Sequence, residues 1–288
     1  MTEKNKEYKE WLAQVFDRGS DRYGQVGPQF FSYFGEKVAE RAGLVEGSSV
    51  LDIACGRGAV LMPAYERVGP AGKMIGIDLS LEMVAETQKE VESRGLDAIQ
   101  IIQMDAEDQQ FPDKTFNFVL CGFALFFFPN VEQALAEIRR VLKPGGIFCT
   151  TTFGEDDSRW DAFDEVIMSY KDKLRPVPQS DGLSFDKPDE ILAKLTKAGF
   201  NEIEITSENR EFYYANADEW WVTLWSHGMR ALLERLDEGT LEEFRRDCYK
   251  MVQRLAGEKG IPQLFSVLIT KASRPVEIDS KDTENGDG

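Results

Sequence analysis

The sequence predicts an α/β fold in which a doubly wound, mostly parallel sheet of seven strands carries a helical cap. Three observations lead to this prediction. Short apolar runs alternate with helical segments from Ser48 to Phe153, a pattern typical of parallel strands joined by right-handed crossovers. Two further strand candidates, Phe200–Tyr214 and Gln263–Lys271, follow in the second half. The segment between those two strands is rich in aromatic residues and has helical periodicity, which predicts the cap.

The elements of the first half have recognisable beginnings and ends. Two helices are expected within residues 1–46. The helix Ala59–Val68 begins at a glycine turn, Ser80 caps a second helix that Gly95 ends, and Asn130 caps a third. The strands between these helices are predicted at Val50–Ile53, Lys73–Ile77, Ala98–Gln103, Phe116–Cys121 and Ile147–Thr152.

The second half is less regular. A helix is predicted near Arg159–Lys173, and the segment Asp186-Lys187-Pro188 predicts the start of another, because proline is favoured in the first helical turn. Ala217–Leu236 is predicted as one long helix. Thr240 with Glu243 three residues later has the pattern of a capping box, which predicts a further helix from Thr240.

Composition and charge exclude several classes of function. The chain of 288 residues has 34 basic and 51 acidic side chains, and the net charge of −17 repels phosphate backbones, which argues against a nucleic-acid partner. A single histidine argues against a His-rich metal site, and no metal is expected. The four cysteines have no paired-ligand spacing and indicate reduced thiols. Without an apolar run of about 18 residues or an apolar leader, a cytoplasmic protein with no membrane span is expected.

The stretch Val50–Ala59 is where the sequence predicts a ligand. A buried strand, a turn with Gly56 and Gly58, and a helix start come together there, and this arrangement lets backbone approach a ligand closely. The turn falls short of the dinucleotide fingerprint because Leu61 stands where glycine or alanine is required. Taken alone, it is also compatible with a structural turn in any α/β protein.

Asp52, four residues before Gly56, makes the turn more specific. Residues 52–58 resemble motif I of the class I S-adenosylmethionine-dependent methyltransferases. Ala54 replaces the first glycine of that motif. We expect this replacement to cost little if the backbone dihedral of Ala54 is ordinary.

Three further matches follow in the order of that family. Asp78 ends the second strand 20 positions after Gly58, where an acid can accept both ribose hydroxyls of a nucleoside. Met104-Asp105-Ala106 follows the third strand, and Leu142–Gly146 matches the turn before the fifth. The resemblance covers residues 45–153 and is closest to the branch of ubiquinone/menaquinone C-methyltransferases and small-molecule methyltransferases. It implies the Rossmann-like methyltransferase fold.

The resemblance implies S-adenosylmethionine as cofactor. In the family, the acid at Asp78 binds the adenosyl ribose, Leu79 lies against the adenine and Asp105 accepts from the adenine amino group. Tyr23 is expected over the methionine end of the cofactor. The positions that the resemblance assigns to cofactor binding are Tyr23, Asp52, Ala54, Cys55, Gly56, Gly58, Asp78, Leu79, Met83, Asp105, Ala106, Gly122 and Phe123.

The acceptor side is less determined. Two histidines of the family's pattern are replaced by Phe126 and Phe127, so an aromatic wall is expected there. Phe127, Trp221 and Trp225 are candidates for substrate binding, with core packing of these rings as the alternative. His227, the only histidine, is a candidate general base because its ordinary pKa suits neutral pH; a structural role is the alternative.

The sequence predicts an enzyme that moves a methyl group to an O, N or C atom of a hydrophobic small molecule by direct in-line transfer. Two alternatives stay open. One is an S-adenosylmethionine-binding enzyme of the same fold with other chemistry, such as decarboxylation or a pericyclic step. The other is a non-catalytic cofactor-binding protein. The acceptor atom and the oligomeric state, including a homodimer, are also open.

Four regions are expected along the chain. Residues 1–46 form helices that cover the site, and residues 47–153 form the S-adenosylmethionine-binding core. Residues 154–272 contain the rest of the sheet with helical cap insertions. Residues 273–288, rich in Asp, Glu, Ser and Gly, are expected to form a disordered acidic tail.

Overall fold

The computed structural model describes residues 2–179 and 187–277. Within them, seven strands form one sheet in the order β3-β2-β1-β4-β5-β7-β6. The strands are β1 Ser49–Ile53, β2 Lys73–Asp78, β3 Ile99–Gln103, β4 Phe116–Gly122, β5 Leu142–Phe153, β6 Asn201–Tyr214 and β7 Ile261–Ser273. Strands β1 to β5 are parallel, and β7 runs antiparallel to both β5 and β6. The strand order reverses between β1 and β4, where α/β proteins of this kind bind ligands.

Helices cover both faces of this sheet. One core cluster joins α5 and α7 to the sheet, and a second cluster joins α2, α3 and α4 to the opposite face. A third cluster, centred on Trp220 and Phe244, packs the cap helices onto each other. The helices are α1 Glu3–Asp17, α2 Phe30–Ala42, α3 Leu61–Val68, α4 Leu81–Ser93, α5 Val131–Val141, α6 Asp161–Ser169, α7 Pro188–Lys197, α8 Ala217–Ser226, α9 Arg230–Leu233 and α10 Glu238–Val252. In the described ranges, none of them has the length and apolar character that a membrane crossing requires.

Side-chain caps explain the starts of five α-helices in the described ranges, among them α4, α5 and α10. The side chain of Ser80 accepts a hydrogen bond from the Met83 amide at the start of α4, and Asn130 accepts from the Gln133 amide at the start of α5. The predicted start of α10 at Thr240 is wrong. Asp237 is the cap, because its carboxylate accepts from the Thr240 amide and the helix begins at Glu238.

The single helix predicted over Ala217–Leu236 is also wrong. The chain leaves the helix at His227, whose backbone is extended (φ −140°, ψ −163°), and a short helix resumes at Arg230. Gly228 favours this break because glycine loses more backbone entropy in a helix than other residues do. The break turns His227 toward a cavity that is described below.

The last strand, and the residues that follow it, stay in contact with the rest of the fold further along the chain than the sequence predicts. Strand β7 extends through Ser273, and Arg274 is 8% exposed. Its guanidinium donates to the carbonyl oxygens of Arg139 and Leu142 at 2.8 and 2.7 Å. The predicted disordered tail from residue 273 is therefore wrong for residues 273–277, because these hydrogen bonds tie the segment to the end of α5. Residues 278–288 lie outside the described range.

We predict that Arg274→Met lowers the free energy of unfolding by about 2 kcal/mol, because buried carbonyl oxygens at the end of α5 lose a charged donor. Urea denaturation of the variant measures this loss. Arg246→Met on the exposed side of α10 is the control, and its stability should change by less than about 0.5 kcal/mol. Equal stability of the Arg274 variant and the parent would contradict a structural role for this segment.

Candidate active site

The carboxyl ends of four parallel strands meet at one edge of the sheet and bring the predicted cofactor positions together. A cavity lies there between the strand ends and α1, and we call it the edge cavity. It is narrow, about 90 Å³, because Lys9, Leu12, Ala13 and Phe16 of α1 close its outer side. The predicted cofactor positions that line it are Tyr23, Ala54, Gly56, Asp78, Leu79, Met83, Asp105, Ala106, Gly122 and Phe123.

The turn after β1 has an unusual backbone. Gly56 and Gly58 have positive φ values of 48° and 79°, which glycine tolerates without cost. Ala54 has φ 53°, so the condition under which alanine would cost little at this position, an ordinary dihedral, is not met. An L-residue in the left-handed region is strained by roughly 1–2 kcal/mol. The turn therefore stores strain directly at the edge cavity.

Asp78 holds this turn in place. Its Oδ2 accepts a hydrogen bond from the Gly56 amide at 2.8 Å, and its Oδ1 accepts from the Ser80 amide at 2.9 Å. Each carboxylate oxygen has two lone pairs, so the carboxylate keeps acceptor capacity for a ligand. Burial raises the pKa of Asp78 to about 6, although the backbone amides of Ser80, Gly56 and Leu79 act in the opposite direction.

Asp52, Cys55 and Gly58 lie beneath the turn and do not line the edge cavity. Asp52 is 1% exposed, and neither of its carboxylate oxygens has a hydrogen-bond partner among the described residues. Burial, and then the charge of Asp78, raise its pKa well above the ordinary value. These three residues can shape the turn, and only a shift of the backbone would bring them to a ligand.

Lys9 is a residue that the sequence argument missed. Its Nζ lies 2.7 Å from Oδ2 of Asp105 and 2.6 Å from Oε2 of Glu107, and all but 9% of its side chain is buried. The sequence signal that indicates burial of Lys9 is its position on the apolar face of α1, three residues before Leu12 and seven before Phe16. These two ion pairs hold α1 over the edge cavity. They use Oδ2 of Asp105, while its Oδ1 accepts from the Glu107 amide at 2.9 Å.

Tyr23 lies against the glycine turn. Its Cε1 is 3.7 Å from the position that a Cβ on Gly56 would take, and its ring stacks on Phe31 with centroids 4.9 Å apart. Arg57 fixes the same loop by donating to the Ser20 carbonyl oxygen at 2.6 Å. Burial and the nearby Asp78 charge raise the pKa of Tyr23, so it remains a neutral phenol.

A second, larger cavity of about 400 Å³ adjoins the first, and we call it the aromatic cavity. Phe16, Tyr23, Phe123 and Phe127 line both cavities and form the wall between them. Acidic side chains of the loop after β5 and of α6 also line the aromatic cavity, while no Lys or Arg does so in the described part of the chain.

A family model described as a methyltransferase domain matches residues 51–150. Aklanonic acid methyltransferase DauC of Streptomyces sp. (strain C5) is 39% identical over 145 residues, which cover 50% of this chain and 66% of that enzyme. Nocamycin O-methyltransferase of Saccharothrix syringae is 30% identical over 235 residues, which cover 77% of this chain and 84% of that enzyme. The chain belongs to the class I S-adenosylmethionine-dependent methyltransferases.

Other similarities agree with this assignment. Demethylmenaquinone methyltransferase of Staphylococcus carnosus (strain TM300) is 29% identical over 221 residues, covering 71% of this chain and 90% of that enzyme. The solved structure of the BH2331 protein from Bacillus halodurans C-125 superposes with a TM-score of 0.56 at 22% identity, covering 83% of this chain and 98% of the other, which shows the fold. The predicted fold, family and cofactor are confirmed: this methyltransferase uses S-adenosylmethionine.

The substrate-side candidates of this methyltransferase divide into two groups. Phe127 and His227 line the aromatic cavity. Trp221 and Trp225 do not line it. Trp221 is 7% exposed within the cap cluster, and Trp225 lies under the guanidinium of Arg230, 5.4 Å from ring centroid to Cζ. The helical period of α8 directs these two rings into the cap, and Trp220 faces the cavity instead.

His227 is a poor general base in this structure. Its Nδ1 accepts a hydrogen bond from the Met229 amide at 3.3 Å. Its apolar surroundings lower its pKa to about 4, because burial penalises the imidazolium. At neutral pH the lone pair that would take a proton is thus both engaged and weakly basic.

We predict that Ala54→Gly stabilises this methyltransferase by about 0.5–1 kcal/mol, because relief of the left-handed strain exceeds the entropy cost of glycine. Thermal unfolding measures the gain. Ala59→Gly, four residues before Pro63 and without a positive φ, is the control and should lose about 0.5–1 kcal/mol. A loss of stability in both variants would show that Ala54 is not strained.

Proposed function

We propose that this methyltransferase transfers the methyl group to a hydrophobic small molecule bound in the aromatic cavity, by direct in-line attack. One observation carries the proposal: the edge cavity and the aromatic cavity share the wall of Phe16, Tyr23, Phe123 and Phe127. Because the same four rings line both cavities, the two cavities adjoin, and direct transfer without a covalent intermediate on the enzyme requires the donor and the acceptor to meet at the edge of this wall.

The residues of the edge cavity fit S-adenosylmethionine. The free lone pairs of Asp78 suit the ribose hydroxyls, and Leu79, Met83 and Ala106 offer apolar contacts to the adenine. When bound, S-adenosylmethionine supplies a methyl group already activated by a sulfonium charge. The Asp78 carboxylate, which is ionised at neutral pH because its pKa is about 6, makes this edge of the sheet electrostatically favourable for a cation.

The enzyme's own task is to position the acceptor and to exclude water. Phe123 has a left-handed backbone (φ 52°) and is fixed there because its amide donates to the carbonyl oxygen of Thr151 at 3.1 Å. Strain of this kind persists only where the surroundings impose it, and it is common at functional sites. The ring of Phe123, with those of Tyr23 and Phe127, presents an aromatic surface that suits a sulfonium and excludes water.

The composition of the aromatic cavity indicates the acceptor class. Aromatic walls and a volume of about 400 Å³ favour a ring-containing, apolar molecule. The acidic side chains Glu155, Asp156 and Asp164 at its rim disfavour phosphates and nucleic acids. The names of relatives, which refer to aklanonic acid, nocamycin and demethylmenaquinone, belong to the same broad class of small-molecule acceptors. We therefore place phenols and quinols first among the acceptors to be tried.

We predict that cofactor affinity depends on the ionisation of Asp78. Its pKa is raised to about 6 in the free enzyme, so the carboxylate is present above pH 6 and is lost as the pH falls through 6. Because the carboxylate accepts the ribose hydroxyls, binding should be about tenfold weaker at pH 5 than at pH 7. Asp78→Ala should weaken binding by about 1–3 kcal/mol at pH 7. Titration calorimetry with S-adenosylhomocysteine measures both effects.

The control for this prediction is Asp97→Asn, an exposed acid between α4 and β3, which should keep the parent's pH dependence. Asp78→Asn should bind with an affinity that is flat between pH 5 and 7. An unchanged pH dependence in the Asp78 variants would place the ribose elsewhere.

The transfer itself is tested by S-adenosylhomocysteine formation over a panel of phenols, quinols and amines. We predict product with apolar ring compounds, and we predict that Ser266→Phe raises the acceptor KM about 10-fold, because it narrows the aromatic cavity. Ser266 does not line the edge cavity, so cofactor affinity should stay constant. Tight cofactor binding without product over the whole panel would favour a non-methylating member of the fold.

A further inference from the structure

His227 occupies a place that core packing does not explain. It lies at the break between α8 and α9, in the wall of the aromatic cavity. Its neighbour Gly228 lies against Phe127, whose Cζ is 3.3 Å from the position that a Cβ on Gly228 would take. Phe127 belongs to the wall between the two cavities. His227 is therefore near the boundary at which donor and acceptor would meet.

The hydrogen bond from the Met229 amide fixes the state of the imidazole. A backbone N–H can only donate, so Nδ1 must accept it through its lone pair. A neutral imidazole has one N–H and one lone pair, which leaves the proton on Nε2. Nε2 has no protein partner among the described residues, so its N–H is available to a molecule in the cavity.

The charged groups around the aromatic cavity do not convert the neutral imidazole of His227 into an imidazolium. Carboxylates of Glu155, Asp156, Asp157 and Asp164 line the same cavity and would favour an imidazolium. Arg159 pairs with Asp157 at 2.7 Å and reduces that effect.

On the other side, Glu234 at the end of α9 forms ion pairs with both Arg230 and Arg18, so this set adds one positive charge, which disfavours an imidazolium. Burial outweighs the remaining charges and lowers the pKa of His227 to about 4. The neutral ring therefore prevails at the pH at which the enzyme is assayed.

We propose that His227 is a specificity-determining residue that presents a fixed Nε2–H donor to an oxygen atom of the acceptor, and that it does not remove a proton. The proposal rests on the proposed function, because it assumes that the acceptor binds in the aromatic cavity. It names the acceptor class more closely: a ring compound with a carbonyl, phenol or quinol oxygen beside the atom that is methylated.

Other polar groups of the cavity support an oxygen as the matching group. The hydroxyl of Tyr214 already donates to Oε1 of Gln263 at 2.8 Å. No Lys or Arg lines the cavity within the described ranges, so a carboxylate acceptor would find no cation there. A neutral N–H donor pairs with an uncharged or partly charged oxygen, and it repels an ammonium group.

Nitrogen-15 NMR tests the tautomer directly, because the chain contains one histidine. The untagged full chain labelled with ¹⁵N-histidine should show a protonated Nε2 and an unprotonated Nδ1, unchanged from pH 6 to pH 9. Addition of 1,4-naphthoquinone as the probe should shift the Nε2 resonance more than the Nδ1 resonance. A ring protonated at Nδ1, or a titration with midpoint between pH 6 and 7, would overturn the proposal.

Three variants separate a donor from a base, using whichever acceptor the panel yields. In His227→Gln the side-chain amide can place an N–H near the Nε2 position, and KM for the acceptor should stay within about twofold. In His227→Asn and His227→Leu that donor is lost, and KM should rise roughly 3- to 10-fold with kcat nearly unchanged. Loss of kcat by more than about a hundredfold in all three, with an altered pH profile, would identify a base and overturn the proposal.

Failure of this proposal and failure of the proposed function are distinguishable. The NMR measurement of the free enzyme needs no acceptor, so its result stands whether or not the panel yields product. Cofactor affinity of the three variants, measured by calorimetry, should equal that of the parent, since His227 does not line the edge cavity. A weakened cofactor affinity in His227→Gln would show that the residue supports the fold of the site, and it would count against a role toward the acceptor alone.

Discussion

The link between Asp78 and the glycine turn is the constraint on which the rest of the site depends. One carboxylate receives the Gly56 amide from the β1 turn and the Ser80 amide from the start of α4. Thr87 of α4 completes the connection by donating to the Gly56 carbonyl oxygen at 2.6 Å. Two strand ends and one helix are thereby fixed relative to each other. The strained Ala54 backbone is held because both sides of the turn are anchored in this way.

This constraint has an electrostatic consequence. Burial raises the pKa of both Asp52 and Asp78, and the charge of Asp78 raises that of Asp52 further. Neither carboxylate oxygen of Asp52 has a hydrogen-bond partner among the described residues. A carboxyl group with a raised pKa stabilises the fold at low pH and loses that contribution as the pH rises through its folded-state pKa. At neutral pH the free enzyme therefore keeps an unfavourable negative charge on Asp78 at the turn, because its pKa is about 6. A cationic ligand offsets that charge, which couples cofactor binding to the stability of this edge of the sheet.

The sequence could predict those features of the site that depend on residues close together along the chain. Asp78 and Gly56 could be located because a strand end and a turn are recognised from local spacing, and Ser80 because a cap acts on the next turn of its own helix. Lys9 could not, since its carboxylate partners are nearly one hundred residues away. Whether Trp220 or Trp221 faces the aromatic cavity depends on how α8 is rotated against α10. A hydrophobic pattern does not specify that rotation when several neighbouring positions are aromatic.

The two cavities consequently differ in how easily substitutions can reshape them. The edge cavity is built from strand ends that share one hydrogen-bonded unit, so a substitution there disturbs several elements at once. The aromatic cavity takes much of its far wall from α8 and the break at His227, and those helices form a core cluster of their own. Repacking within that cluster can reshape the acceptor side while the turn, Asp78 and α4 stay in place. The shared rings Tyr23, Phe123 and Phe127 then set the limit under the proposed function, because an acceptor in the aromatic cavity must still bring its reacting atom to the place where the two cavities adjoin.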